Sequence, residues 1–129
     1  MTSTERDTGD RIRREVLGGD YVAGAAAEWA GADRLEDLVV RFPWGTVWAN
    51  PTLDRRTRSL VTVAIVAATN RAHELDLHVR GALRNGCDLE ELVEVAMHCA
   101  AYAGVPAAID TARAIKAAAA DLTDAGEVR

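Results

Sequence analysis

Apolar residues recur at helical spacing along most of this chain, and no segment sustains the period-two alternation of a half-buried strand. The pattern predicts an all-α fold of about six helices. Ile12, Val16 and Leu17 point one way on a short helix over 10–17, which Gly18-Gly19 would end. Residues 1–8 read as a flexible tail. Asp20 is placed to cap a second helix from Tyr21 to about residue 30, with Ala23, Ala26, Ala27 and Ala30 on one face. After Gly31, an apolar stripe continues through Leu35, Leu38, Val39 and Phe42. Asp54 can cap a helix from Arg55 to about Thr69, apolar on nearly every side over Leu60–Ala68.

Asn70 can cap the next helix, which runs to Asn85 with Gly86 after it. Asp88-Leu-Glu-Glu91 has the form of a capping box. The helix behind it carries Leu89, Leu92, Val93, Ala96, Met97 and Ala100 at 3–4 spacing. Gly104 ends it, and Pro106 suits the first turn of a last helix with Ala108, Ile109, Ala112, Ile115 and Ala119 inward. Residues 123–129 read as a second flexible tail.

Two stretches break this regularity. Residues 41–53 are punctuated by Pro43, Gly45 and Pro51 and read as irregular. They carry Trp44 and Trp48, four apart, so one helical turn would put both indoles on one side. The pair would either plug the end of a helical bundle or wall a pocket for a flat or anionic small molecule.

The second break is polar. On a helix from about Arg71, residues Arg71, Glu74 and His78 fall at i, i+3 and i+7 and share a face. A guanidinium, a carboxylate and an imidazole in one stripe between apolar helices mark a place for chemistry. A plain surface pair of Glu74 and His78 is the structural alternative. Arg55, Arg56 and Arg58 crowd a helix N-terminus, where the dipole disfavours cations. Arg55 and Arg56 are expected to pair with surface carboxylates, whereas Arg58 enters the apolar part of the helix. His73 reads as solvent-facing and His98 as a satisfied buried histidine. Tyr102 either donates to a substrate or closes a helix end. His-Glu-x-x-x-His over 73–78 is one residue too long for the metalloprotease pattern, so no metal is expected.

Composition narrows the options. One domain is expected from 129 residues, and 49% apolar residues exclude disorder. A net charge of −5 argues against non-specific nucleic-acid binding. No apolar run is long enough for a membrane span, and the polar segment 1–10 has no signal-peptide character. Cys87 and Cys99 fit neither a disulfide scaffold nor a metal knuckle, and a reducing cytoplasm suits them.

Several segments then carry a resemblance, in order, over almost the whole chain. They are Arg-Arg-Glu-Val-Leu-Gly (13–18), Pro-Trp-Gly-Thr-Val-Trp (43–48), Arg-Thr-Arg-Ser-Leu-Val-Thr (56–62), Asn-Arg-Ala-His-Glu-Leu-Asp-Leu-His (70–78), Asn-Gly (85–86) and Tyr-Ala-Gly-Val-Pro-Ala-Ala (102–108). The chain resembles the carboxymuconolactone decarboxylase family. The resemblance implies the all-α fold shared with alkylhydroperoxidase D and a homo-oligomer, a trimer or hexamer. The peroxidase branch carries Cys-x2-Cys-x3-His on the equivalent helix. Here Arg71 and Glu74 take the cysteine places while His78 keeps the histidine place, which argues against dithiol chemistry.

The implied reaction is cofactor-free decarboxylation of 4-carboxymuconolactone in aromatic catabolism. The substrate carries its own electron sink in a conjugated lactone carbonyl. The protein must hold a dianion, stabilise a dienolate oxygen and deliver a proton. Arg58 and Arg71 are the candidate carboxylate binders. His78 is the candidate acid, with Glu74 as its partner or the alternative acid, keeping the imidazole charged. Trp44 and Trp48 would exclude water. Two other functions fit the same residues: a related lyase or isomerase acting on another unsaturated acid, and a non-enzymatic helical assembly whose stripe makes inter-subunit salt bridges.

Overall fold

The computed structural model describes residues 2–29 and 31–127, all helix and turn with no strand among them. The helices are α1 (Thr2–Leu17), α2 (Gly19–Glu28), α3 (Asp33–Val39), a π-helix (Val40–Trp48), α4 (Arg55–Ala68), α5 (Ala72–Arg84), α6 (Leu89–Tyr102) and α7 (Val105–Asp124). They form two compact units, Met1–Asp54 and Arg55–Arg129.

In the N-terminal unit α1 begins at Thr2, so residues 2–8 are helical rather than a tail. Two features hold this added length. Arg6 reaches Glu36 and Asp37, each at 2.8 Å, and Gly9 lies against the backbone of the π-helix. Gly18, at φ 92°, separates α1 from α2 and is the N-cap, which places Asp20 inside the first turn. Val22 and Ala25 are the buried residues of α2, while Ala23, Ala26 and Ala27 face solvent, the reverse of the predicted face. Ala30 lies outside the described residues. Arg13 of α1 is also buried, only 2% exposed, and its guanidinium lies 5.3 Å from the Trp29 ring centroid. Burial lowers its pKa; cation–π contact offsets part of that desolvation.

The stretch read as irregular is ordered from Val40 to Trp48 as a π-helix containing Pro43. Its buried residues are Val40, Trp44 and Trp48, every fourth position. A turn closed by i→i+5 bonds is wider than an α-turn and keeps every fourth residue close to one line. The two indoles stack at 4.9 Å with 30° between planes.

The C-terminal unit is built from α4 to α7 around Val63, Leu75, Val79, Ala82, Leu92, Ile115, Ala118 and Leu122. Asn70 does not cap α5. It takes a left-handed φ of 58°, which asparagine tolerates, and Arg71 is the N-cap residue. Gly86, at φ 90°, follows the end of α5 as expected. Asn85 Nδ2 donates to the fully buried Ser59 Oγ at 2.9 Å, tying that end to α4.

The capping box is present. Glu91 N–H donates to Asp88 Oδ1 at 2.8 Å, and Asp88 N–H donates to Glu91 Oε1 at 3.0 Å. Asp88→Ala is therefore expected to lower stability by about 1 kcal/mol, read as a lower urea midpoint at unchanged slope.

Helix α7 starts with proline in its first turn, as predicted, but its inner face is rotated. Ala107, Thr111, Ile115, Ala118 and Leu122 are buried, whereas Ile109 and Ala112 are exposed. Past α7, Glu127 pairs with Arg84 at 3.2 Å, which holds part of the second predicted tail in place. Helix α6 buries Leu92, Ala96 and Cys99 and leaves Leu89, Val93 and Met97 exposed, the last by 61%. Both cysteines are free and buried. Among the described residues, no helix is long and apolar enough to cross a membrane.

Candidate functional site

Helix α5 carries the polar stripe, and its geometry follows from where the helix starts. The left-handed Asn70 turns the chain after α4 and leaves Arg71 as the N-cap, at φ −94° and outside the helical ladder. Glu74 then falls in the first turn, where the N-terminal dipole favours a carboxylate. His78 lies one turn further in, between the core residues Leu75 and Val79.

Burial grades along the stripe. Arg71 and Glu74 are exposed and His78 is largely shielded. Among the described residues, neither Arg71 nor Glu74 takes part in an ion pair. Most other charges of this unit are matched: Arg56 with Glu91, Arg80 with Asp76 and Asp121, Arg84 with Glu127, and Arg113 with Asp110. The expectation that Arg56 pairs with a surface carboxylate is met. Arg58, on α4, is half-buried with its Nε out of contact with solvent. Its carbonyl accepts from Thr62 Oγ1 at 2.7 Å.

The imidazole departs from expectation in its charge. Burial pushes the His78 pKa down to about 4, and the nearby negative charge of Glu74 only partly opposes this. Glu74 was expected to keep the ring charged. Desolvation wins because His78 enters the apolar side of α5 while Glu74 stays in water, where its field is screened. In the free protein His78 is thus a neutral imidazole at pH 7. It can donate one N–H to a developing oxyanion, and a bound dianion would raise its proton affinity.

Trp44 and Trp48 are buried, 5% and 8% exposed, and stack on each other within the N-terminal unit. His73 is exposed, as read. His98 is exposed rather than buried, with its ring 5.0 Å from that of Tyr102. It borders an open depression of about 490 Å³ with Leu60, Val95, Glu91 and Glu94. Carboxylates in that wall repel a dianion, so the depression is not where an anionic acid would bind.

Sequence reasoning missed two supports. One is the Ser59–Asn85 hydrogen bond next to Arg58; a serine facing an apolar helix side was its only signal. The other is the glycine crossing of α1 on the π-helix, signalled by Gly45 within the Pro-Trp-Gly segment.

The profile of the Carboxymuconolactone decarboxylase family matches residues 33–117. The chain belongs to that family. The matched span holds every candidate named above: Trp44, Trp48, Arg58, Arg71, Glu74 and His78. A 4-carboxymuconolactone decarboxylase of Acinetobacter baylyi is 41% identical over 100 residues, covering 77% of this chain and 75% of that protein. A nitrosuccinic acid decarboxylase of Metarhizium robertsii is 36% identical over 124 residues, covering 95% of this chain and 87% of that protein. Both relatives of this carboxymuconolactone decarboxylase family member are decarboxylases, which supports carboxy-lyase chemistry. Their substrates differ.

Proposed function

We propose that this family member decarboxylates 4-carboxymuconolactone to 3-oxoadipate enol-lactone, without a cofactor, in the catabolism of protocatechuate. The observation that carries the reading is the α5 stripe. An imidazole taken out of water stands one turn from a carboxylate and two turns from an arginine, and among the described residues neither of those takes part in an ion pair.

The reaction breaks the bond between the ring carbon and its carboxylate. The electron pair runs through the ring double bond onto the lactone carbonyl oxygen, and CO2 leaves. A proton then adds to the ring carbon alpha to that carbonyl. Arg58 and Arg71 hold the two carboxylates. The His78 N–H stabilises the dienolate oxygen, and the proton that the dianion draws onto the ring is the one delivered. Glu74 biases His78 towards taking that proton, or delivers one itself.

Self-association fits the surface. Leu89, Val93 and Met97 form an exposed apolar line along α6, and Val61 and Ile65 another on α4. Lines of this kind mark contact surfaces, and a homo-oligomer, trimer or hexamer, would cover them. The free cysteines suit a reducing cytoplasm.

The test is turnover of 4-carboxymuconolactone, generated in situ, with a chelator present. Arg71→Leu should lower kcat/KM by about 10- to 100-fold, the loss of one charge-assisted hydrogen bond. No turnover by the folded parent would remove the lactone from consideration. Loss of assembly on Glu74→Gln in a parent without activity would favour the purely structural reading.

A further inference from the structure

We infer that the site recognises a succinate frame rather than a lactone ring, and removes CO2 from succinates whose C2 carries a conjugated electron sink, open-chain 2-nitrosuccinate included. This rests on the decarboxylase reading above and widens its substrate class.

In 4-carboxymuconolactone, the carbon that loses CO2 bears one carboxylate directly and a second through a methylene. Those four carbons are a succinate, substituted at C2 by the ring. Nitrosuccinic acid, named for the Metarhizium relative, has the same four carbons with a nitro group at C2. The two acids match in both carboxylates and in the bond to be broken. They differ in the sink and in the fourth substituent at C2, which is the ring oxygen in the lactone and hydrogen in nitrosuccinate.

The chain's own groups address the shared part. Arg71 stands exposed at the start of α5 and, among the described residues, has no carboxylate partner. Other arginines of the same unit are engaged by the protein's own carboxylates: Arg56 by Glu91, Arg80 by Asp76 and Asp121, Arg84 by Glu127. A site that leaves this arginine unmatched is suited to bringing in a carboxylate with the substrate. His78 addresses the sink. Held neutral by burial, it offers one N–H, which suits a nitro oxygen as well as a carbonyl oxygen because both gain charge as CO2 departs. Nothing in an N–H selects a ring.

The step balances without an oxidant or reductant. The C1–C2 bond breaks and its electron pair becomes the C2=N bond, placing negative charge on the nitro oxygens. CO2 leaves, and a proton from water adds to C2 to give 3-nitropropanoate. In the lactone, the proton instead goes to the carbon alpha to the carbonyl, two bonds from the broken one.

The experiment uses the full chain, with 4-carboxymuconolactone and 2-nitrosuccinate assayed separately for CO2 release against buffer blanks, and nitrosuccinate also tested as an inhibitor of lactone turnover. The expected result is turnover of both, with nitrosuccinate competing at a Ki near its own KM. Arg71→Leu should raise both KM values by a similar factor, because the carboxylates are common to both acids; its thermal transition, followed by circular dichroism, controls for folding. Lactone turnover without turnover of or inhibition by nitrosuccinate would overturn the inference and leave the decarboxylase reading standing. So would an Arg71→Leu effect confined to the lactone. Turnover of nitrosuccinate alone would uphold the frame and remove the lactone as substrate. Turnover of neither by folded protein would overturn both.

Discussion

Replacing His78 with alanine is expected to lower kcat on 4-carboxymuconolactone by about 10²- to 10⁴-fold, the span of a positioned general acid. The side chain is largely shielded on α5, so the variant also loses packing. Stability by denaturant and kcat on material shown to be folded must therefore be read together. His78→Gln separates two roles. Its amide restores an N–H for the dienolate oxygen and supplies no titratable proton. Activity between parent and alanine variant would assign part of the effect to hydrogen bonding. Parent-like turnover in His78→Ala would end the assignment and move attention to Glu74.

The same group makes a stability prediction with a definite sign. The His78 pKa is lowered to about 4 from an ordinary value of 6.5. Between those values the unfolded chain binds a proton that the native state does not. Stability therefore falls as pH drops from about 6.5 towards 4 and is fully present above that window. The glutamine variant should lose this part of the acid sensitivity, measured as a flatter plot of unfolding free energy against pH. An unchanged slope would mean that His78 is not the group buried neutral.

How much of this was legible follows from which residues carry the signal. Asp88 and Glu91 announced their helix start because a capping box is local: both partners lie within one turn. Gly86 announced a helix end for the same reason. Faces were harder. Helix α6 is apolar on two sides, so spacing alone could not say that Leu92 faces the core while Val93 and Met97 face out. Helix α7 is so rich in alanine that its inner face could be read one residue off, and Ile109 was placed inside in error. The π-helix was missed because Pro43 and Gly45 are breakers in any local reading. Their tolerance depends on α1, distant in sequence. Within the stripe, residue types and spacing were readable and the charge of His78 was not, since desolvation is set by packing around the ring.

Gly9→Ala is expected to destabilise the N-terminal unit, against the usual sign for a helix interior. Replacing glycine by alanine there normally stabilises by about 1 kcal/mol. Here a Cβ on Gly9 would lie 2.1 Å from the Val40 carbonyl oxygen and 2.9 Å from the Gly45 nitrogen. The obstacles are backbone atoms of the π-helix, so no side chain can rotate away. Gly45 is constrained from the other side, where its Cβ would lie 2.6 Å from the Glu5 carbonyl oxygen. Separating the helices enough to admit a methyl group costs about 1–3 kcal/mol, as for overpacked cores. Gly24 supplies the internal control. It lies on α2 with nothing within 4 Å of an added Cβ, so Gly24→Ala should stabilise. Tryptophan fluorescence reports the difference, since Trp44 and Trp48 belong to the π-helix that would be pushed away. A Gly9→Ala midpoint raised as much as that of Gly24→Ala would show that α1 and the π-helix do not cross at backbone contact. A lowered midpoint with reddened emission would show that this contact, rather than the indole pair alone, holds the π-helix in place.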